Sequence, residues 1–301
     1  AAQLFYLDGV PWRELLPMLG SATGVEPAPQ RHDTHAGRYV RCSFFDLYKQ
    51  RRDDDGIGNG RAAAILLARS GTKVVVADLD KKLAERTVEM IQAEGGTAIA
   101  HGFDATKESD CRGLIDAAVD HWGRLDFLDN NIGIGSRGSV VDEKPEEYRR
   151  VMQVNVETMF LLSKHAIPAM IKTAKGGAIV NISSISALRP RGLTTYTVSK
   201  QAVIGLTQAM AVDHGKDRIR VNCICPGPMY TPMVNRGNGM SEANRRQRAN
   251  ASVLKIEGTG WDIGQGVRFL LSNHARYITG QVLVIDGGVT LQGPERDSQA
   301  Q

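Results

Sequence analysis

No run of apolar residues approaches the roughly 20 needed for a helix to cross a bilayer, so no membrane partner is expected. The N-terminus lacks a basic start leading into an apolar stretch and a small-residue cleavage site. That predicts no secretory leader and a cytoplasmic location. Neither sign of charge is in excess. The 37 Lys and Arg stand against 33 Asp and Glu for a net +4, which gives no reason to expect a nucleic-acid partner. Four cysteines in 301 residues do not make a disulfide framework. Cys223 and Cys225 alternate along an expected strand. They read as small buried residues, because two ligands do not make a zinc site, and no metal is expected. There is no internal repeat and no obvious second domain.

What is present is alternation. "KVVVADLD" (Lys73–Asp80) is a short β-branched run, and the segment after it carries Leu83, Val88 and Ile91 at helical spacing up to Gly95 and Gly96. The strand-like runs "TAIAHGFD", "RLDFLDNN", "GGAIVNIS", "RIRVNCICPG" and "GQVLVIDGG" follow, separated by helical stretches. One of these reads as a single long helix, "EYRRVMQVNVETMFLLSKHAIPAMIKTA". Several strands are continuous apolar runs, which suits strands buried on both faces. The expected fold class is α/β: a Rossmann-like, doubly wound parallel sheet in a single domain. Residues 1–55 break the pattern with turn formers and no periodicity, and are expected to be an irregular N-terminal segment. The domain is then placed at 56–290, with a tail at 291–301.

Ligands of such sheets bind beyond the carboxyl ends of the strands, so the residues just after each strand carry the functional argument. Asp78 closes the second strand about 20 residues beyond a glycine turn, where an acid accepts from an adenosine ribose and repels a 2′-phosphate. It suits a helix N-cap equally well. Asp104 follows the next strand and could take an adenine amino group, and Asn130, Asn131 and Gly133 follow the third. Tyr196 and Lys200 stand four apart on an expected helix, hence on one face. An ammonium beside a phenol favours phenolate and pulls its pKa down from about 10, which equips a tyrosine for proton exchange with an alcohol or carbonyl oxygen. A solvated Tyr–Lys pair meets the same spacing.

The order of "NNIG", "VNVETMF", "NISS", "YTVSK" and "CPGPMYTP" resembles a short-chain dehydrogenase/reductase from about Gly56 to Gly288. The resemblance implies hydride transfer between a nicotinamide and a secondary alcohol or ketone, with Tyr196 as general acid/base. Lys200 would lower the tyrosine pKa and hold the nicotinamide ribose. Ser184 would polarise the substrate oxygen, with Ser183 and Ser186 as structural hydroxyls. Asn155 would complete a proton relay. Gly56, Ile57, Gly58 and Gly60 would form the phosphate turn, and Asn130 and Gly133 would lie by the adenosine end. Pro226, Gly227, Met229 and Thr231 would lie by the nicotinamide. The implied cofactor is NAD, preferred because of Asp78, with NADP possible, and the implied assembly is a homodimer or homotetramer. Arg236, Arg245, Arg246 and Arg248 lie where this family closes over substrate, and would suit a carboxylate or phosphate or form a solvated helix face.

The start of the motif departs from the family. Where a Thr-Gly pair should precede the turn, the chain reads "RRDDD" from Arg51 to Asp55. Three aspartates beside a pyrophosphate would repel it, and no side chain replaces the missing glycine's shape. Three origins remain open: a transcript with intron sequence or a displaced exon joined just before Gly56, an enzyme with an unusual turn, or a non-catalytic scaffold of the same fold with impaired cofactor binding.

Overall fold

A computed structural model of the protein describes residues 38–44, by backbone alone, together with 57–234 and 240–293. Strand β2 (Lys73–Asp78) is buried along all but its first residue. Its side chains alternate, and both sets are apolar: Val75 and Ala77 enter one core while Val74 and Val76 enter the other. The same holds for β5 (Gly177–Ile182), where Ile179 faces one side and Ala178 and Val180 the other. Strands with two apolar faces need helices on both.

The first face is covered by α1 (Asn59–Arg69), α2 (Lys81–Ala93) and, from far along the chain, α9 (Gly260–Leu271). The second face is covered by α3 (Glu108–Trp122), α5 (Thr158–Ala174) and part of α7 (Thr194–His214). Helix ends follow local chemistry. The Asp80 carboxylate accepts from the Lys82 amide at 3.0 Å to start α2. Gly123, at φ +76°, lets the chain leave α3 in the left-handed region.

All seven strands of the main sheet run parallel, in the order β3-β2-β1-β4-β5-β6-β9. Here β1 is Arg38–Phe44, β3 Ala98–Gly102, β4 Phe127–Ile132, β6 Ile219–Pro226 and β9 Val282–Ile285. The order reverses between β1 and β4, and this switch point opens a crevice at their carboxyl ends. A two-stranded pair, β7 (Met229–Tyr230) with β8 (Gly258–Thr259), lies apart from the main sheet. Close packing of α9 on α1 rests on two glycines. A Cβ at Gly260 would stand 2.4 Å from the Ile57 carbonyl oxygen, and one at Gly264 would stand 3.0 Å from the Ala62 carbonyl carbon.

Two expectations are corrected. A strand of the main sheet comes from inside the segment expected to be irregular, since β1 at Arg38–Phe44 pairs with β2 on one side and β4 on the other. The rest of 1–55, and Gly56 with it, lies outside the described residues, as does most of the 291–301 tail. The single long helix is divided. Helix α4 (Pro145–Met152) passes through a π-helical turn at Gln153–Glu157 before α5 begins. Such turns insert an extra residue and re-aim side chains, often at functional sites. Cys223 and Cys225 are fully buried, as expected of small strand residues. Among the described residues no helix is long and apolar enough to cross a membrane, and no cluster of metal-ligating side chains occurs.

Candidate active site

Tyr196 stands in the first turn of α7, fixed there by its amide, which donates to Ser136 Oγ at 2.9 Å. Lys200 follows one turn later, only 3% exposed, and its Nζ donates to the Ile182 carbonyl at the end of β5 at 2.9 Å. Ser184 comes two residues beyond that carbonyl and caps the short helix α6 (Ile185–Leu188) by accepting from the Ser186 amide at 3.1 Å. The serine also shares a side-chain hydrogen bond with the Tyr196 phenol. Ser183 is occupied otherwise, donating to the Lys200 carbonyl at 2.7 Å, and Ser186 is buried. Of the three serines, Ser184 is the one joined to Tyr196.

Asn155 sits in the π-helical turn and is fully buried. Its Oδ1 accepts from the Ile134 amide at 2.7 Å, and its Nδ2 donates to the Ile134 carbonyl and to Ser199 Oγ at 3.0 and 2.9 Å. Ser199 in turn donates to the Tyr196 carbonyl at 2.7 Å. The side chain of Asn155 therefore ties the chain after β4 to the helix that carries Tyr196.

The electrostatics correct one expectation. Burial pushes the Tyr196 phenol above its usual pKa, and the hydrogen bond from Ser184 only partly opposes it. Burial also disfavours the Lys200 ammonium and lowers its pKa to about 8. Its Nζ lies over the tyrosine ring, 5.7 Å from the centroid, and hydrogen-bonds Ile182.

A cavity of about 360 Å³ opens beside this cluster, at the carboxyl ends of β4, β5 and β6. Gly133, Ser184, Tyr196, Lys200, Pro226, Gly227, Met229 and Thr231 line it, all named from sequence. Asn131, also named from sequence, lines it too, while Asn59 and Arg191 line it and were missed. Asn130 is turned away. It is fully buried, and its Nδ2 donates to Asn181 Oδ1 at 2.8 Å, within an interior chain that continues to Thr207. Gly133 lies by Lys200, where a Cβ would stand 3.0 Å from Lys200 Nζ. Asp78 ends β2, buried, with its Oδ1 accepting from the Asp80 amide at 3.1 Å. Asp104 accepts from the Thr106 amide and hydroxyl at 3.1 and 2.7 Å. Burial raises the Asp104 carboxyl pKa, but these bonds and Lys107 outweigh it and leave it below the usual range. Neither acid lines the cavity.

The residues fit a dinucleotide. Gly58 precedes α1, whose first turn carries no acid, and a Cβ at Gly58 would meet nothing within 4 Å among the described residues, which leaves room there for a phosphate. Gly60 is buried in the first turn of α1, with Ile57 just ahead of the turn. Asn59 Oδ1 is buried without a hydrogen-bond partner among the described residues.

The arginine cluster is largely committed elsewhere. Glu257, whose side chain is 5% exposed, accepts from Arg248 and, at 3.3 Å, from Arg245. Arg248 also donates to the Met229 carbonyl at 3.0 Å, and Arg245 stacks on Tyr230. Arg246 pairs with Glu242, and Arg236 lies outside the described residues. Glu257 thus fastens α8 (Glu242–Asn250), which contributes Gln247 and Arg248 to the cavity wall. Glu257→Gln is expected to lower stability by about 1–3 kcal/mol, because two arginines lose a buried partner. A thermal melt that superimposes on the parent's would contradict this role.

Residues 53–290 match the family model described as Enoyl-(Acyl carrier protein) reductase. The chain is 37% identical over 241 residues to 2-(S)-hydroxypropyl-CoM dehydrogenase 3 of Xanthobacter autotrophicus, covering 78% of this chain and 93% of that one. It is 34% identical over 237 residues to cyclohexanol dehydrogenase of an Acinetobacter species, covering 78% and 92%. A solved 7α-hydroxysteroid dehydrogenase, complexed with NADH and 7-oxo glycochenodeoxycholic acid, superimposes with a TM-score of 0.75 at 32% identity, covering 84% of this chain and 94% of that one. A short-chain dehydrogenase/reductase from Burkholderia xenovorans superimposes with a TM-score of 0.76 at 31% identity, covering 85% and 96%. The chain is an oxidoreductase and belongs to the short-chain dehydrogenase/reductase family.

Proposed function

We propose that the protein interconverts a secondary alcohol and a ketone, with Tyr196 moving the proton and NAD as the redox partner. The observation that carries this is the convergence of Tyr196, Ser184 and Lys200 on one cavity wall. When bound, the nicotinamide gives or takes the hydride. The rest falls to the chain's own groups. Tyr196 exchanges a proton with the substrate oxygen, and Ser184 donates to that oxygen as its charge develops. Lys200 supplies positive charge next to the phenol, and Asn155 fixes the first turns of α7 in place. Gly58, Gly60 and the start of α1 receive the phosphates. Relatives whose names denote alcohol dehydrogenases support this reaction class.

Asp78 selects the nucleotide. Its buried carboxylate ends β2, where an adenosine ribose would lie, and a 2′-phosphate there would meet like charge. Calorimetric titration is expected to give NAD a lower Kd than NADP by about 10-fold or more. Equal or tighter NADP binding would remove Asp78 from this role. Binding of neither nucleotide would favour the second reading, a scaffold without catalysis, which the aspartates of "RRDDD" motivate.

A further inference from the structure

The described part of the cavity wall carries cations and no acid. Among its described lining residues are Lys200, Arg248 and Arg191, with no aspartate or glutamate. Lys200 is committed to the Ile182 carbonyl, and Arg248 is neutralised by Glu257. Arg191 alone of the three has neither an ion pair nor a hydrogen bond among the described residues.

Its loop is nonetheless held at both ends. On one side Arg189 donates to the carbonyls of Val289 and Gln292 at 2.7 and 2.8 Å. On the other, Leu193 bridges to Gly138, and the Thr194 amide donates to the Gly138 carbonyl at 3.2 Å. Gly192, at φ +70°, makes the sharp turn between these two points. Arg191 is thus presented on the segment that leads into Tyr196, separate from the Gly58 turn on α1. Met233 and Val234 add apolar wall to the same cavity.

We infer that Arg191 is a specificity-determining residue that binds an oxyanion on the substrate, so that the preferred substrates are secondary alcohols or ketones carrying a carboxylate or similar group at the end remote from the reacting carbon. This rests on the hydride-transfer reading above. A guanidinium suits the task, because it pairs with a planar oxyanion through two parallel N–H bonds and keeps its charge at any working pH. An uncompensated guanidinium on the wall also draws anions into the cleft.

The test uses the full chain with NADH and two ketones of matched skeleton, levulinate and methyl levulinate. The parent is expected to favour levulinate in kcat/KM. Arg191→Gln should shrink the levulinate-to-ester ratio by about 10- to 100-fold, chiefly through KM for levulinate. Arg191→Lys should recover part of the ratio, as a point charge without the planar fork. An unchanged ratio in Arg191→Gln overturns the proposal. So does a matching loss of NADH affinity, which would place Arg191 in the dinucleotide site. If no ketone is turned over, levulinate is titrated calorimetrically into the NADH-loaded chain. Binding that Arg191→Gln abolishes supports the anion subsite and removes the hydride-transfer reading. Absence of binding overturns the subsite.

Discussion

Replacing Tyr196 with phenylalanine is expected to lower kcat by about 10³-fold while NAD still binds. The change removes one oxygen. The ring remains in the first turn of α7, and the amide that anchors it to Ser136 is untouched. Lost are the hydrogen bond to Ser184 and the only phenol among the described residues that line the cavity. Single-turnover rates report the loss, and calorimetry with NAD reports whether the cofactor site persists. The pH profile gives a further check. Burial holds the phenol above its usual pKa, so alcohol oxidation by the parent should rise toward high pH as the phenolate forms, and this rise should vanish in Tyr196→Phe. Turnover within a factor of about 10 of the parent would remove Tyr196 from catalysis.

Gly260→Ala is expected to cost about 2 kcal/mol and to weaken NAD binding as well. The added methyl would stand 2.4 Å from the Ile57 carbonyl oxygen and 3.0 Å from the Gly58 carbonyl carbon, both backbone atoms with little freedom to yield. Either α9 moves off α1 or the turn at Gly58 shifts, and the second outcome distorts the surface proposed to receive phosphate. The melting temperature should fall by roughly 4–8 °C for that loss in a domain of this size. Gly113→Ala on α3 is the control. A Cβ there meets nothing within 4 Å, and alanine is the better helix former, so this variant should melt at or slightly above the parent. Equal melting of Gly260→Ala and the parent would show that the α9–α1 contact is looser than described.

Much of the architecture could be read from sequence because β2 and most of β5 are runs of apolar residues with both faces buried. The first strand could not. "RYVRCSF" carries two arginines and a serine, so it shows no apolar run, yet it fits the sheet interior. Arg41 stands opposite Asp129 in the backbone register between β1 and β4, and hydropathy reads both residues as defects in a strand. The split between α4 and α5 was hidden because a π-helical turn interrupts geometry without interrupting helical composition. Among the site residues, "NNIG" identified the strand end but not its parity. Successive strand residues face opposite ways, so Asn131 meets the cavity while Asn130 joins the interior chain to Asn181. The pull of Lys200 on the tyrosine could not be judged from a four-residue spacing, since burial of both groups decides it. Arg191 gave no signal because a loop has no periodicity. The arginines of α8 were noticed as charges, but their partner Glu257 becomes visible only in three dimensions.

The position of β1 also governs how the molecule assembles. Its neighbours, β2 and β4, come later in the chain, so the strand made first is the seam on which two blocks of sheet must meet. A chain deprived of residues 38–44 would not simply be shorter. It would be two open sheets, β3-β2 and β4-β5-β6-β9, each with an unpaired edge able to recruit another copy. Aggregation rather than mild loss of activity is the failure such a chain would show. Long-range pairing of this kind also makes closure of the seam a late and slow event in folding.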